Sequence, residues 1–181
     1  MSIEFDVWIK FVSQIGQSLA KHGFRKIVLL NGHGGNAAAI DLVAQNIAES
    51  AGKGCLVAAF SYWDVSGEQI DSIRTSAQGG MGHSCELETS LQLYLRDGLV
   101  KMERAVKNPR TRSSRFDSLD LADNKKHVLF YRSGGGGVAG DPGEFGTMGD
   151  PTVATKEKGR RFFEAIVGQV SEVLRDISEK M

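Results

Sequence analysis

The chain has 181 residues, and its 22 lysines and arginines balance 22 aspartates and glutamates. That balance removes the electrostatic argument for nucleic acid or an anionic membrane surface as a partner. No apolar run approaches the roughly 20 residues of a membrane span, no signal-peptide pattern opens the chain, and Cys55 and Cys85 alone do not make a disulfide framework. The expectation is a single cytoplasmic domain over residues 1–181.

The first helix is expected from about Phe5 to Lys21, with Phe5, Trp8, Ile9, Val12, Ile15 and Leu19 on one face. Gly23 follows as a helix-ending glycine, and His22 reads as a helix-end residue. Lys26-Ile27-Val28-Leu29-Leu30 reads as a buried strand. Asn31-Gly32-His33-Gly34-Gly35-Asn36 then turns into a helix running to about Ser50, with Asn36 as its expected N-cap. Gly54 to Phe60 reads as a second strand, parallel to the first through a right-handed crossover.

His33 thus falls on a loop at the carboxyl end of a strand, where open α/β sheets place ligands and chemistry. It suits a catalytic or metal-binding histidine. A structural histidine capping the turn is the plainer alternative. A phosphate-binding loop is the third, although neither a G-x-G-x-x-G spacing nor a Gly-Lys-Ser/Thr ending is present. Ser61-Tyr62-Trp63-Asp64 leaves the tip of the second strand, so Trp63 is either a loop anchor or a wall of a substrate pocket. From Val65 to Gly82 a short helix at most is expected, then a loop.

Gly82-His83-Ser84-Cys85-Glu86-Leu87-Glu88 opens the next helix, with Ser84 as its expected N-cap and Leu87, Leu91, Tyr94 and Leu95 as its apolar face. A helical wheel sets Glu88 at the edge of that face and Glu86 further round. A histidine with two carboxylates at a helix start is a usable acid–base or metal constellation. The plainer reading of Glu86 is a first-turn acid that complements the helix dipole. Leu99 to Asn124, with Arg104, Arg110, Arg112 and Arg115, reads as solvated loops. His127 reads as structural, ahead of a strand at Val128–Tyr131. Ser133 to Asp150 reads as a glycine-rich connector, and a last helix is expected from Val153 to Ile177, with Phe162, Phe163, Ile166, Val170 and Leu174 on one face.

Taken together, Gly23 to Val28, Asn31 to Asn36, Ser61 to Asp64, Gly82-His83 to Glu88-Thr89-Ser90, and Gly149-Asp150-Pro151 to Gly159 resemble the creatininase (creatinine amidohydrolase) family. The resemblance implies a three-layer α/β/α fold with a mainly parallel sheet, a homo-oligomer (a hexamer in the family), and divalent metal ions (Zn, Mn or Fe), two in the complete site. It implies hydrolysis of a cyclic amide, amide or formamide C–N bond in a small-molecule substrate. It makes His33 a metal ligand, His83 the catalytic histidine, Glu88 its acidic partner and Trp63 a residue near the substrate.

This sequence departs from the family pattern in three places. The metal-binding glutamate of N-G-H-x-E-N is Gly35 here, and Glu86 is expected to supply the missing ligand. The tryptophan expected just before His83 is absent, with Gln78-Gly79-Gly80-Met81 in its place, which argues against creatinine itself as substrate. The family's first strand or strands, with a Glu-x-His pair, have no counterpart ahead of the first helix. The chain is therefore expected to be incomplete relative to the family, with weak or no activity alone. The rival readings are a non-catalytic remnant or subunit that binds a metabolite or a partner chain, and a nucleotide-binding module built on the His33 loop.

Overall fold

In the computed structural model, residues 3–109, 120–122 and 144–180 are described. His127, the strand expected at Val128–Tyr131, three of the loop arginines (Arg110, Arg112 and Arg115) and most of Ser133–Asp150 lie outside them. The chain divides into two compact units, Met1–Val65 with Ser171–Met181, and Ser66–Val170.

The first unit carries helix α1 (Phe5–Lys21), strand β1 (Lys26–Asn31), helix α2 (Ala37–Ala51), strand β2 (Leu56–Ser61) and the start of helix α3 (Tyr62–Ile73). Strands β1 and β2 are parallel, in register from Lys26↔Leu56 to Asn31↔Ser61. Ile27 and Leu29 of β1, with Val57 of β2, point to the side where α1 and α2 pack. There Ala20, Ile27, Val43 and Ile47 form a buried cluster with Trp8, Ile9 and Val12 against it. A Cβ on Gly16 would lie 2.2 Å from Ile47 Cδ1, so α1 and α2 meet closely at that glycine. Helix α1 ends as the sequence predicts, with Gly23 at φ +96° and its amide bonded to Ala20 O. The end of the last helix belongs to this unit, and Lys26 Nζ donates to Ser178 O at 2.7 Å.

The second unit contains the rest of α3, strand β3 (Met81–His83), helix α4 (Glu86–Arg96), strand β4 (Met148–Gly149) and most of helix α5 (Lys156–Lys180). Strands β3 and β4 are antiparallel, with an irregularity between Met81 and His83. Neither is legible in the sequence, because strands of three and two residues carry no periodicity. Gly149 makes the pairing possible: a Cβ there would lie 2.7 Å from Gly80 O and 2.6 Å from Cys85 Cβ. Helix α5 packs on α4 where Gly159 faces Ser90, and Phe162 is fully buried beside it.

Helix α5 starts at Lys156, later than the expected Val153. Pro151–Val153 form a separate turn, opened by the Asp150 carboxylate accepting from the Thr152 amide, and Ala154 is extended. The short helix expected between Val65 and Gly82 is the body of α3, which starts earlier, at Tyr62, and ends at Ile73. Among the described residues, no helix is long and apolar enough to cross a membrane. The sequence expectation of an α/β fold with a parallel sheet holds, with β1 and β2 as the parallel pair.

Candidate functional site

In the first unit, the tips of β1 and β2 lie side by side because Asn31 and Ser61 are in register. Both are buried at the end of the inward-facing row. Asn31 Nδ2 donates to Ser61 Oγ at 2.9 Å and to His33 O at 3.0 Å, and Asn31 Oδ1 accepts from the His33 amide at 3.1 Å. One amide side chain therefore satisfies both backbone groups of His33, which is otherwise an exposed, extended residue. The Ser61 amide donates to Asp64 Oδ2 at 2.8 Å, which starts α3 beside the His33 loop.

The loop differs from its predicted form. Gly34–Asn36 make a short 3₁₀ turn, and Asn36 makes no side-chain cap bond to α2. Its amide bonds to His33 O instead. The His33 ring folds over Gly35, so that a Cβ on Gly35 would lie 2.7 Å from His33 Nε2. Any side chain at position 35 would displace the ring. An open groove of about 510 Å³ runs beside β1, lined by Trp8, Val12, Leu30, Asn31, His33 and Ile40 among others. Trp63 is not among its lining residues. It is half-buried in the first turn of α3, edge-on to Tyr62 with ring centroids 4.8 Å apart.

In the second unit, His83 is exposed at the end of β3. Ser84 does not cap α4: it has φ +49°, and Cys85 takes the N-cap position. The Ser84 amide donates to Glu88 Oε2 at 2.6 Å. The Cys85 thiol is pushed up to about 12, first by burial and then by the Glu88 charge, so it is not a nucleophile at neutral pH.

Glu86 is placed unlike the helical-wheel expectation: it is fully buried, and Glu88 only partly. Its oxygens accept from the Thr75 amide at 3.0 Å, the Ser76 amide at 2.8 Å and Lys158 Nζ at 2.6 Å. Burial pushes its carboxyl up, but the bonds from Lys158, Ser76 and Thr75 outweigh that and hold it below the usual glutamate range. The wheel fails because it counts one packing face, whereas Glu86 is enclosed by the Thr75–Ser76 turn and by α5. The same turn is held from the other side by Arg74, whose guanidinium makes bonds of 2.7 and 2.9 Å to Asp120, and by the Gly79 amide on Asp120.

Sequence reasoning missed Asn31 and Lys158. Asn31 carried a usable signal, since an Asn at the inward register of a strand tip needs partners. Lys158 carried none, because its partner is 72 residues away in the chain. Among the described residues, no three His, Cys, Asp or Glu side chains gather in a way that could hold a metal ion. Position 35 lacks a side chain, and the Glu86 oxygens are engaged by Lys158 and two backbone amides. The described residues therefore do not fit a complete metal centre.

A family profile described as creatinine amidohydrolase matches residues 1–174. A creatinine amidohydrolase of Pseudomonas putida is 27% identical over 91% of this chain and 60% of its own length. A 3-dehydro-scyllo-inosose hydrolase of Thermotoga maritima is 26% identical over 98% of this chain and 58% of its own. A mycofactocin precursor peptide peptidase of Mycobacterium tuberculosis is 31% identical over 79% of this chain and 45% of its own. A solved structure named creatininase Mn superposes with a TM-score of 0.70 at 26% identity, covering 97% of this chain and 65% of that one. The chain thus spans under two thirds of the length of these relatives.

Proposed function

The chain belongs to the creatininase family, matched over residues 1–174, and we propose that it carries the proton-transfer part of a hydrolase that cleaves a C–N bond in a small molecule. The observation that supports this is His83, exposed between a strand irregularity and a left-handed residue, with the Glu88 carboxylate bonded to the next amide. Three relatives are named as hydrolases or peptidases. The choice of a C–N bond rests on the two whose names specify an amide or a peptide.

In this reading His83 delivers a proton to the leaving nitrogen. Glu88 fixes the segment that carries it. By the family resemblance alone, Trp63 would lie near a substrate and His33 would give one nitrogen donor to a divalent ion of the Mn, Zn or Fe class; one solved neighbour is named for Mn. When bound, such an ion polarises a carbonyl and acidifies water. Glu86 leaves the ligand set, because Lys158 and the Thr75–Ser76 amides already engage it. A cytoplasmic location and a homo-oligomer belong to the same proposal.

The test uses the purified chain with added Mn²⁺ or Zn²⁺, assayed against creatinine, formamides and short peptide amides. The expected result is weak ion-dependent hydrolysis that is lost in His83→Gln, because removing a general acid costs ~100-fold or more. Hydrolysis unaffected by His83→Gln overturns the assignment. A second reading, binding without catalysis, is favoured by one observation: the His33 ring occupies the space a side chain at Gly35 would need. Absence of both turnover and bound metal would select it.

A further inference from the structure

We propose that Glu88 and Ser84 are a positioning pair for His83: the Glu88 carboxylate, by holding the Ser84 amide, keeps the residue after His83 left-handed and so fixes where the imidazole is presented. This rests on the role given to His83 above and deepens it.

Ser84, at φ +49°, is the only non-glycine residue with positive φ among the described residues. That conformation is unfavourable for a residue with a Cβ and persists only where its surroundings impose it. The imposing contact is the bond of 2.6 Å from the Ser84 amide to Glu88 Oε2. A carboxylate acceptor makes this one of the stronger backbone contacts available. The carboxylate is itself well placed, because Glu86 ties the first turn of α4 to Thr75, Ser76 and Lys158.

The other side of His83 has as little freedom. The β3–β4 register shifts between Met81 and His83, and a Cβ on Gly82 would lie 2.4 Å from Met148 O. Irregular strands of this kind re-aim side chains. His83 therefore sits between a close backbone approach and a clamped left-handed residue. An ordinary capping glutamate bonds the amide of the N-cap residue. Here the N-cap is Cys85, and Glu88 reaches past it to Ser84. The contact thus fixes the direction in which the chain leaves His83.

The experiment compares the full chain with Glu88→Ala, Ser84→Gly and the double variant, reading the His83 ring signals by NMR and the exchange of the amide at position 84. In the parent, that amide is expected to be protected. Glu88→Ala should lower its protection at least tenfold and shift or broaden the His83 ring signals. Ser84→Gly alone should leave the ring signals in place. The double variant should return them toward the parent position, because glycine adopts φ +49° without a holding bond. Ring signals that do not move in Glu88→Ala, or that move and are not restored in the double variant, overturn the proposal. Should Glu88→Ala not fold, Glu88→Met, which keeps the side-chain bulk and removes the acceptor oxygens, carries the same comparison with Ser84→Gly. None of these readouts uses turnover. A chain with no hydrolase activity but with these ring shifts would refute the proposed function and leave the pair standing.

Discussion

Lys158 Nζ lies 2.6 Å from Glu86 Oε1, and this ion pair joins the start of α4 to the start of α5. Glu86 is fully enclosed and Lys158 nearly so. Breaking such a pair from one side leaves a buried charge and costs about 3–5 kcal/mol. Lys158→Met should therefore lower the melting temperature by roughly 6–20 °C at neutral pH, taking 2–4 °C per kcal/mol for a chain of this size. Adding Glu86→Gln to Lys158→Met should recover part of that loss, because the stranded charge is then gone. Thermal unfolding followed by circular dichroism measures both.

The same residue sets a pH dependence. Glu86 is held below its ordinary range in the folded chain, where bonds from Lys158, Ser76 and Thr75 outweigh the burial that opposes them. The unfolded carboxyl titrates at about 4.3. A depressed folded value means that the charged form favours folding, so the contribution is complete above the unfolded value. It is lost as pH falls through the folded one. The destabilisation caused by Glu86→Gln should be largest near neutrality and should shrink below about pH 4, where the parent carboxyl begins to lose its advantage. An equal loss at pH 3 and pH 7 would contradict this account.

Two glycines on α5 should respond in opposite directions. A Cβ on Gly159 would lie 1.9 Å from Ser90 O, which is backbone and cannot swing away, whereas Gly168 has nothing within 4 Å of its Cβ position. Alanine in a helix gains about 1 kcal/mol over glycine from propensity alone. At Gly168 that gain is unopposed, so Gly168→Ala should stabilise. At Gly159 the clash wins, and Gly159→Ala should destabilise by about 1–3 kcal/mol, the usual range for overpacking. Urea titration of the two variants decides it, and stabilisation at both positions would show that α4 and α5 do not approach as described.

Legibility in the sequence followed from how local each feature is. Helix α1 runs over the predicted Phe5–Lys21, because its apolar spacing and Gly23 are local signals. Strands β1 and β2 were readable for the same reason, and their parallel register puts the His33 loop at a sheet tip. The burial of Glu86 is not legible from its own helix, because its main partners come from the turn before β3 and from α5. Ser before a helix usually caps it, so the sequence points to Ser84 as the N-cap. Here the thiol-bearing Cys85 stands in that place, and the carboxylate of Glu88 does the bonding. A pattern of residue types does not carry the sign of φ.

The cysteines offer a direct check on the packing around α4. Cys85 is fully buried and its thiol is pushed up to about 12, by burial first and by Glu88 second. Thiolate is the reactive form, so at pH 8 this residue should not react with a thiol reagent while the chain is folded. Cys55 is partly exposed. One thiol per chain should therefore label under native conditions, and both after denaturation. Rapid labelling of Cys85 in the native chain would mean that the start of α4 opens easily.

Asn31 should control the His33 loop more than its distance from any reacting group suggests. Its side chain satisfies both the amide and the carbonyl of His33 and also reaches Ser61 Oγ. Asn31→Ala removes all of these contacts from a buried position, at a cost of about 1–3 kcal/mol for the groups left unpaired. Ser61→Ala removes only the bond between the strand tips, so its cost should be smaller. Asn31→Asp keeps the acceptor for the His33 amide but replaces the donor to His33 O with an oxygen, and that oxygen would repel the carbonyl. The expected order of destabilisation is Asn31→Asp at least equal to Asn31→Ala, with both above Ser61→Ala. Hydrogen exchange should show the amides of His33 to Asn36 losing protection in the two Asn31 variants and keeping it in Ser61→Ala. Equal loss in all three would mean that the loop is held by the pairing of the strand tips, and not by the Asn31 side chain.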